Sequence, residues 1–412
     1  MIIVIADDLT GAAEIAGIAT RHGLSTQLTT QPASPLPAAD VIVIATDTRS
    51  GSATDAVKAT IAVAKLVDDC VKTHRSAVPS LNDRKDNADG FNHDILCGCK
   101  GKIAVTDRNI ILFKKTDSAL RGHIVAESQA LMRELGYAKA LLIPQNPSKG
   151  RVIRAGIYLI NGVPLDQTPF AYDPEFPART AEVQHLLNGA KSLAVNGEMT
   201  DGVWIADAAD AGEIFTQMAK ASRNTLIAGA ADCFEAFLRK NAIGKASDND
   251  RCARPDSITG SLIVVCGSTQ SHSLKDQPGI IASGAAEITM PDDVFNGSPA
   301  DRWISEIIKS YTANGSIVIT INHPSTGGKA YAVRLRQIMA EATSALVAVR
   351  CPRHIIIEGG ATAFAILDRL GWRTFSVRKE LSPGVVSMSF ATTNIILKPG
   401  SYDWGTLFKG KR

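Results

Sequence analysis

Met1–Ala6 reads MIIVIA, Val41–Ala45 reads VIVIA and Asn109–Phe113 reads NIILF, and each run ends in a turn of charged and hydroxyl residues. These short apolar runs lack the alternation of a half-exposed strand, which is typical of strands buried on both faces of a parallel sheet. In such a sheet, ligands bind beyond the carboxyl ends of the strands. The three turns are therefore predicted to meet at one edge and to form a binding site.

Helical patterns fill the stretches between the strands. Ala12, Ile15, Ala16 and Ala19 recur at helical spacing after the first turn, and residues 54–71 repeat apolar residues in the same way. Alternating strands and helices predict an α/β fold, doubly wound around a mainly parallel sheet. The alternation restarts late in the chain, where four further apolar runs end in turns: Ser261–Cys266, Ile317–Ile321, His354–Ile357 and Asn394–Leu397.

The length of 412 residues predicts two domains, because it exceeds what one ordinary core accommodates. Residues 244–260 are polar with few apolar anchors, as linkers are. We predict an N-terminal domain over 1–245, a linker over 246–260 and a C-terminal domain over 261–412. Each is expected to hold a mainly parallel sheet flanked by helices, with the active site in the cleft between them. Residues 79–102 are polar and predict a surface insertion.

The charge balance and hydropathy exclude several classes of protein. Lys and Arg exceed Asp and Glu by only 44 − 41 = 3 and are scattered, so no nucleic-acid partner is expected. No apolar stretch reaches about 18 residues, so no membrane span is expected. The seven cysteines lack a pairing pattern and no basic segment precedes the first apolar run, which favours a reduced cytoplasmic location.

Charged residues follow each N-terminal strand. Asp7 and Asp8 can orient a hydroxyl, accept a proton or hold a cation; alternatively, one of them only caps the next helix. Arg49 can clamp a carboxylate through two hydrogen bonds, or form an ordinary surface ion pair. The third turn either binds a small anionic, hydroxyl-rich substrate or is a solvated charged turn, and its residues are Lys114, Lys115, Asp117, Ser118 and Arg121.

Glycine-rich turns follow the C-terminal strands. Residues Gly359–Thr362 (GGAT) follow a strand and open a helix, where free N–H groups and the helix dipole favour a phosphate. Gly267-Ser268-Thr269 and Lys398-Pro399-Gly400 form similar turns, although glycine often only permits a tight connection. Neither G-x-x-x-x-G-K-[ST] nor a G-x-G-x-x-G after a strand occurs, so a nucleotide site here is neither a P-loop nor an ordinary dinucleotide fold.

Taken together, these turns resemble the signatures of the four-carbon acid sugar kinase family. The N-terminal signatures are Ala6–Ala12 (ADDLTGA), Asp47–Ser50 (DTRS) and Lys114–Gly122 (KKTDSALRG). The C-terminal signatures are Cys266–Ser268 (CGS), Gly359–Thr362 (GGAT), Ser382–Gly384 (SPG) and Leu397–Gly400 (LKPG). The match spans nearly the whole chain, and the combination is specific although each motif is short.

The resemblance implies a kinase that uses ATP and Mg²⁺ to phosphorylate the terminal C4 hydroxyl of a four-carbon sugar acid. The branch it resembles most is D-threonate kinase; D-erythronate and 3-oxo- or 2-oxo-tetronate stay open as substrates, and so does a homo-oligomer. The N-terminal domain would bind the acid through Asp7, Asp8, Arg49, Lys114, Lys115, Asp117, Ser118 and Arg121. The C-terminal domain would bind ATP through Ser268, Gly359, Gly360, Ala361, Thr362 and Gly400.

This assignment predicts separate roles for the residues of the two domains. Phosphoryl transfer depends mainly on positioning the reactants and neutralising charge. Arg49 and a lysine of the 114–115 pair would hold the carboxylate, while Asp8 or Asp117 would orient the C4 hydroxyl and take its proton. The Gly359–Thr362 turn would hold the ATP phosphates, with Mg²⁺ bridging the β and γ oxygens. Closure of the two domains would exclude water.

The chain departs from the family pattern at two places. Ala361 stands where many relatives carry an acidic residue, and the insertion at 79–102 is longer than expected. A non-catalytic sugar-acid sensor with two α/β lobes is the main alternative function, which the lack of a secretory signal disfavours. A hydroxy-acid dehydrogenase is a second alternative, which the missing G-x-G-x-x-G disfavours.

Overall fold

The computed structural model describes residues 1–77, 110–173, 175–194, 196–244, 258–267, 283–323 and 328–400. The predicted insertion, most of the predicted linker and Ser268 lie outside these ranges. We refer to residues 1–244 as the N-terminal lobe and to residues 258–400 as the C-terminal lobe. The boundaries of the predicted domains stay a prediction.

The N-terminal lobe alternates strands and helices in chain order. Its first elements are β1 (Ile2–Ala6), α1 (Leu9–Arg21), β2 (Thr26–Thr29), β3 (Val41–Ala45), α2 (Ala53–Ala77), β4 (Ile111–Lys115), α3 (Ile124–Leu135) and β5 (Lys139–Ile143). Three short strands follow, β6 (Arg151–Arg154), β7 (Ile157–Ile160) and β8 (Val163–Pro164). The lobe ends with α4 (Val183–Leu186), β9 (Lys191–Leu193), β10 (Gly202–Ala206), α5 (Ala211–Ala219), β11 (Thr225–Gly229) and α6 (Ala231–Lys240).

The C-terminal lobe repeats the alternation and then turns to antiparallel strands. Its first elements are β12 (Leu262–Cys266), β13 (Ala286–Thr289), α7 (Asp292–Phe295), α8 (Asp301–Asn314), β14 (Ser316–Thr320), α9 (Lys329–Val349), β15 (His354–Glu358) and α10 (Gly360–Arg369). It closes with β16 (Thr374–Ser382), β17 (Val385–Phe390) and β18 (Thr393–Lys398).

Among the described residues, fifteen strands form one sheet that runs through both lobes, in the order β13-β14-β12-β15-β18-β17-β16-β2-β3-β1-β4-β11-β5-β10-β9. Within this sheet, all pairs between strands of the N-terminal lobe are parallel, as are the pairs from β13 to β18 in the order given. The predicted α/β fold with mainly parallel sheets is therefore confirmed. Strands β6, β7 and β8 form a separate small antiparallel sheet.

The strands of the sheet centre are buried on both faces, as their apolar runs predicted. In β1, Ile3 and Ile5 pack into one core with α2 and α3, whereas Ile2, Val4 and Ala6 pack into another with α1. Every residue of β1 is buried. This two-sided burial explains the lack of alternation in MIIVIA.

Helix α1 and the antiparallel strands connect the lobes. Strand β16 pairs with β2 through three residue pairs, from Thr374↔Thr29 to Ser376↔Gln27, and so joins the two parallel sheets edge to edge. The guanidinium of Arg21 at the end of α1 lies 2.7 Å from a carboxylate oxygen of Glu235 and 2.9 Å from one of Glu380 in β16. The lobes are thus tied by main-chain and charged contacts.

A second contact between the lobes brings the start of α10 against the start of α1. A Cβ added to Gly360 would lie 2.7 Å from Cγ2 and 2.8 Å from Oγ1 of Thr10. Real Cβ atoms do not approach other atoms so closely, so a side chain at this position requires movement of the backbone or of Thr10. Glycine at 360 is therefore required by the close approach of the two lobes.

We predict that Gly360→Ala lowers the free energy of unfolding by about 1–3 kcal/mol, because the added methyl group overpacks the contact with Thr10. Urea unfolding of the purified protein measures the change. Gly212 is the matched control, because it also lies in the first turn of a helix and a Cβ there meets only the flexible side chain of Asp210 at 3.2 Å. Gly212→Ala should be neutral or stabilising by up to about 1 kcal/mol. Equal urea midpoints for the two variants would contradict the steric argument.

Candidate functional site

The carboxyl ends of three neighbouring strands bring the predicted N-terminal turns together. Ala6 at the end of β1 pairs with Ala45 at the end of β3 and with Lys115 at the end of β4. The side chains that follow these strands therefore share one edge of the sheet. Asp7, Asp8, Arg49, Asp117 and Arg121 are joined there by hydrogen bonds and ion pairs, and we call these five residues the aspartate–arginine cluster.

Arg49 lies at the centre of the aspartate–arginine cluster. Its Nε and Nη2 donate to the two carboxylate oxygens of Asp7 at 2.8 and 2.9 Å, and Nη2 also donates to Asp8 at 2.7 Å. Its Nη1 lies 3.4 Å from Asp117. Burial alone would lower its pKa, but the three carboxylates hold it well above the usual range. The predicted carboxylate clamp is therefore already engaged by carboxylates of the protein.

Asp117 is held in its ionised form by two guanidinium groups. Nε and Nη2 of Arg121 donate to its two oxygens at 2.9 and 3.0 Å, and the backbone N–H of Ala119 donates at 3.0 Å. Burial raises the pKa of Asp117, but Arg121 and Arg49 together bring that pKa well below its ordinary value. A carboxylate stabilised in this way is a weak proton acceptor, so its geometry suits anchoring better than base chemistry.

The two lysines of the third turn lie in strand β4 and are buried. Nζ of Lys114 lies 2.7 Å from Glu127 of α3, and both side chains are 1% exposed. Nζ of Lys115 lies 3.6 Å from Glu14 of α1, which also accepts from Lys149 at 2.6 Å. Lys114 thus faces the core on the α3 side of the sheet, whereas Lys115 faces α1.

Asp8 takes the capping role that the sequence left open for one member of the aspartate pair. It is the N-cap of α1, where its Oδ1 accepts from the backbone N–H of Gly11 at 3.0 Å. Its Oδ2 accepts a hydrogen bond from the hydroxyl of Thr10. Asp7, by contrast, is 2% exposed and is bound bidentately by Arg49.

Further polar residues reach the site from the small antiparallel sheet, and sequence reasoning did not find them. Nη1 of Arg151, the first residue of β6, donates to the hydroxyl of Ser118, and the hydroxyl of Tyr158 donates to the Ser118 carbonyl. The guanidinium groups of Arg121 and Arg151 each lie 5.5 Å from the ring centre of Phe170. No local motif marks these residues, because the long excursion after β5 returns them to the site only in the fold.

The predicted phosphate-binding turn lies at the carboxyl ends of the C-terminal strands. Cys266, Glu358 and Lys398 end three adjacent strands and stand side by side in register. Nζ of Lys398 lies 2.6 Å from Glu358, and these side chains are 1% and 2% exposed. A buried ion pair therefore underlies the turn that opens α10.

The backbone of this turn fits an anion. Gly359 has a φ of +97°, and its N–H donates to the carbonyl of Lys398 at 2.9 Å. The next N–H groups, at the start of α10, have no acceptor within the helix. A Cβ added to Gly267 would lie 2.6 Å from Cγ2 of Thr362, so the β12 turn packs directly against this helix start. Gly400 lies in the turn after β18, whereas Ser268 is outside the described residues.

Within the part of the chain that the structure describes, no group of three His, Cys, Asp or Glu side chains is arranged to hold a metal ion. The site aspartates accept from Arg49 instead. These residues do not form a Mg²⁺ site of their own, and Mg²⁺ stays a prediction. In the same residues, no helix is long and apolar enough to span a bilayer.

Comparison with known proteins gives matches over both lobes. A family described as a sugar-binding N-terminal domain matches residues 2–80 and 75–232, and one described as a nucleotide-binding C-terminal domain matches residues 265–402. A 3-oxo-tetronate kinase of Methylobacterium radiotolerans is 26% identical over 92% of this chain and 90% of its own length. A D-threonate kinase of Salmonella typhimurium is 24% identical over 95% of this chain and 92% of its own length.

A solved structure supports the same fold. The crystal structure of a Haemophilus influenzae protein of the DUF1537 family superimposes with a TM-score of 0.66 at 18% identity. The match covers 99% of this chain and 98% of that one. With two adjoining family matches that together span most of the sequence, the chain belongs to the four-carbon acid sugar kinase family.

Proposed function

We propose that the protein is an ATP-dependent kinase that transfers a phosphoryl group to the terminal C4 hydroxyl of a four-carbon sugar acid. The main support is a contact between the two lobes: the Gly359–Thr362 turn, which is suited to a phosphate, lies against Thr10, which is hydrogen-bonded to Asp8. Gly360 packs against Thr10, and Thr10 donates to the Asp8 carboxylate. A nucleotide seated on that turn would therefore present its phosphates to a hydroxyl held at the aspartate–arginine cluster.

Asp8 is our candidate for the residue that orients the attacking hydroxyl and accepts its proton. Asp7 and Asp117 are each bound bidentately by arginine, which leaves them poor acceptors. Asp8 meets Arg49 through one oxygen only. Phosphoryl transfer needs little covalent help from the protein, so correct placement of the hydroxyl is the main requirement.

Arg121 of the aspartate–arginine cluster and polar groups beside the cluster are proposed to bind the acid. Ser118, Arg121 and Lys115 lie around Asp117, and Arg151 adds a guanidinium whose hydrogen bond goes to the neutral hydroxyl of Ser118. A substrate carboxylate can replace that hydroxyl at Arg151 without displacing a carboxylate of the protein. At Arg49, the same carboxylate would compete with three aspartates.

On the nucleotide side, we propose that the backbone N–H groups of Gly360, Ala361 and Thr362 hold the ATP phosphates, and that Ser268 and Gly400 also contribute to ATP binding. Mg²⁺, when bound with ATP, would neutralise charge on the phosphate oxygens. Ala361 brings no carboxylate to this turn, so the contribution of the chain there is its backbone. We place the reaction in the cytoplasm, where ATP is available.

We propose D-threonate as the first substrate to test, with D-erythronate and the 3-oxo- and 2-oxo-tetronates beside it. Relatives of similar identity are named 3-oxo-tetronate kinase and D-threonate kinase, so the panel needs both. ADP release in the presence of ATP, Mg²⁺ and each acid tests the function. Binding of an acid without ADP release would support the non-catalytic sensor instead.

Asp8→Asn is expected to lower kcat/KM by about 100-fold or more, because the amide keeps the helix cap but cannot accept the proton. The ADP-release assay measures the loss with the best acid of the panel. Asp210→Asn is the matched control, because Asp210 is also an aspartate N-cap, bonded to the N–H of Glu213 at 2.9 Å and remote from the cluster. If Asp8→Asn retains wild-type kcat/KM, the assignment of Asp8 is wrong.

Asp47 gives the site a group that titrates near neutral pH. It follows β3 with a left-handed φ of +49°, and its side chain reaches solvent. Desolvation and the carboxylate of Asp8 raise its pKa to about 7, against the attraction of Arg336 from the C-terminal lobe and of Arg49. Below about pH 7 the folded protein therefore favours the protonated form of Asp47.

We predict that Asp47→Asn stabilises the protein increasingly as the pH rises from 4 to 7, with a plateau above. The sign follows because a carboxyl whose pKa is raised on folding stabilises the protonated protein and loses that contribution as the pH rises. Because Asp47 is exposed, the effect should be modest and should weaken in high salt. Melting temperatures of both proteins across this pH range measure it.

Asp40→Asn serves as the control with the opposite sign. The side-chain and backbone hydrogen bonds from Ser25 lower the pKa of Asp40, so its contribution is present at neutral pH and fades as the pH falls. A pH-independent difference between wild type and Asp47→Asn would overturn the interpretation of Asp47.

A further inference from the structure

Thr10 is the point where the two lobes touch beside the reacting groups. It lies in the first turn of α1, in the N-terminal lobe, and is half-buried. Its γ-methyl and hydroxyl both face Gly360, at the start of α10 in the C-terminal lobe, at the limit of contact. A side-chain atom on Gly360 would lie within 2.8 Å of Thr10, so the two residues are direct neighbours and movement of Gly360 would change their contact.

The hydroxyl of Thr10 also donates a hydrogen bond to one oxygen of the Asp8 carboxylate. Oδ1 of Asp8 accepts from the N–H of Gly11 at 3.0 Å and from Arg49 at 2.7 Å, whereas Oδ2 accepts from Thr10. The Oδ1 partners belong to the N-terminal lobe. Of these partners of Asp8, the hydroxyl of Thr10 is the one that also lies against Gly360 of the C-terminal lobe.

We propose that Thr10 is a positioning residue that couples occupancy of the nucleotide turn to the orientation of Asp8. Phosphates bound to the N–H groups of α10 would hold Gly360 against Thr10, and Thr10 would in turn hold Oδ2 of Asp8 toward the acid. The inference rests on the proposed function and adds to it a coupling between the ligand sites of the two lobes. By linkage, the acid must raise nucleotide affinity by the same factor that the nucleotide raises acid affinity.

Two substitutions separate the hydroxyl from the shape of Thr10. Thr10→Val keeps the branched shape against Gly360 but removes the donor to Asp8. Thr10→Ser keeps the donor and removes the methyl group. Thr20→Val is the matched control, because Thr20 lies at the other end of α1 and its hydroxyl donates to the carbonyl of Ala16 at 2.9 Å.

The experiment measures acid affinity by calorimetry, with and without a non-hydrolysable ATP analogue and Mg²⁺, and then kcat with ATP. In the wild type, we expect the analogue to tighten acid binding by about tenfold. Thr10→Val should reduce this factor to about one and lower kcat by about tenfold or more, while the affinity for the analogue alone changes less than about twofold. Thr10→Ser should recover most of the coupling, and Thr20→Val should match the wild type.

The outcomes distinguish failure of this inference from failure of the function. If the wild type binds and phosphorylates an acid but Thr10→Val shows the same coupling and kcat, Thr10 has no positioning role. If Thr10→Ser loses as much coupling as Thr10→Val or more, the hydroxyl is not the coupling group, which also overturns the proposal. If the wild type neither binds nor phosphorylates any acid of the panel, the proposed function fails, and the coupling fails with it.

Discussion

The site depends on the guanidinium group of Arg49, because it forms ion pairs with all three aspartates that the fold forces together. Asp7, Asp8 and Asp117 follow two adjacent strands of a parallel sheet, so their carboxylates converge whatever their mutual repulsion. Without a cation among them, burial and like charge would favour protonation of at least one. Arg49 reaches all three from the end of the neighbouring strand, and the electrostatics of the aspartate–arginine cluster depend on that reach.

Each lobe also has a buried lysine at the end of a central strand. Lys114 is the last residue but one of β4 and pairs with Glu127, while Lys398 ends β18 and pairs with Glu358. Taking two charges out of water costs several kcal/mol per ion, and their attraction offsets that cost only with close geometry. Such pairs contribute little net stability. Their effect here is to fix which side chains lie beneath the turns that would bind ligands.

The strands and their convergence could be predicted from sequence, whereas the partners of the charges could not. MIIVIA and VIVIA predict strands because burial on both faces leaves a continuous apolar run. From the sequence alone, however, Lys114 could belong to a solvated charged turn. In the structure it is buried and pairs with Glu127 of α3. Arg151 joins Ser118 only because the chain returns through the small β6–β8 sheet. Side-chain contacts between segments that are distant in the chain leave no local pattern in the sequence.

The edge pairing of β2 with β16 was equally hidden, because antiparallel β16 and β17 interrupt the α/β alternation from which the domains were predicted. This pairing bears on the predicted closure of the two domains, which would exclude water from the site. A free hinge between two separate sheets would allow wide opening, but here a continuous sheet and the Arg21 bridge tie the lobes. Opening must strain main-chain hydrogen bonds, so small sliding motions at α1 and α10 are favoured over rotation of whole lobes. The contact of Thr10 with Gly360 lies where such sliding would act, since both residues begin the helices that would move.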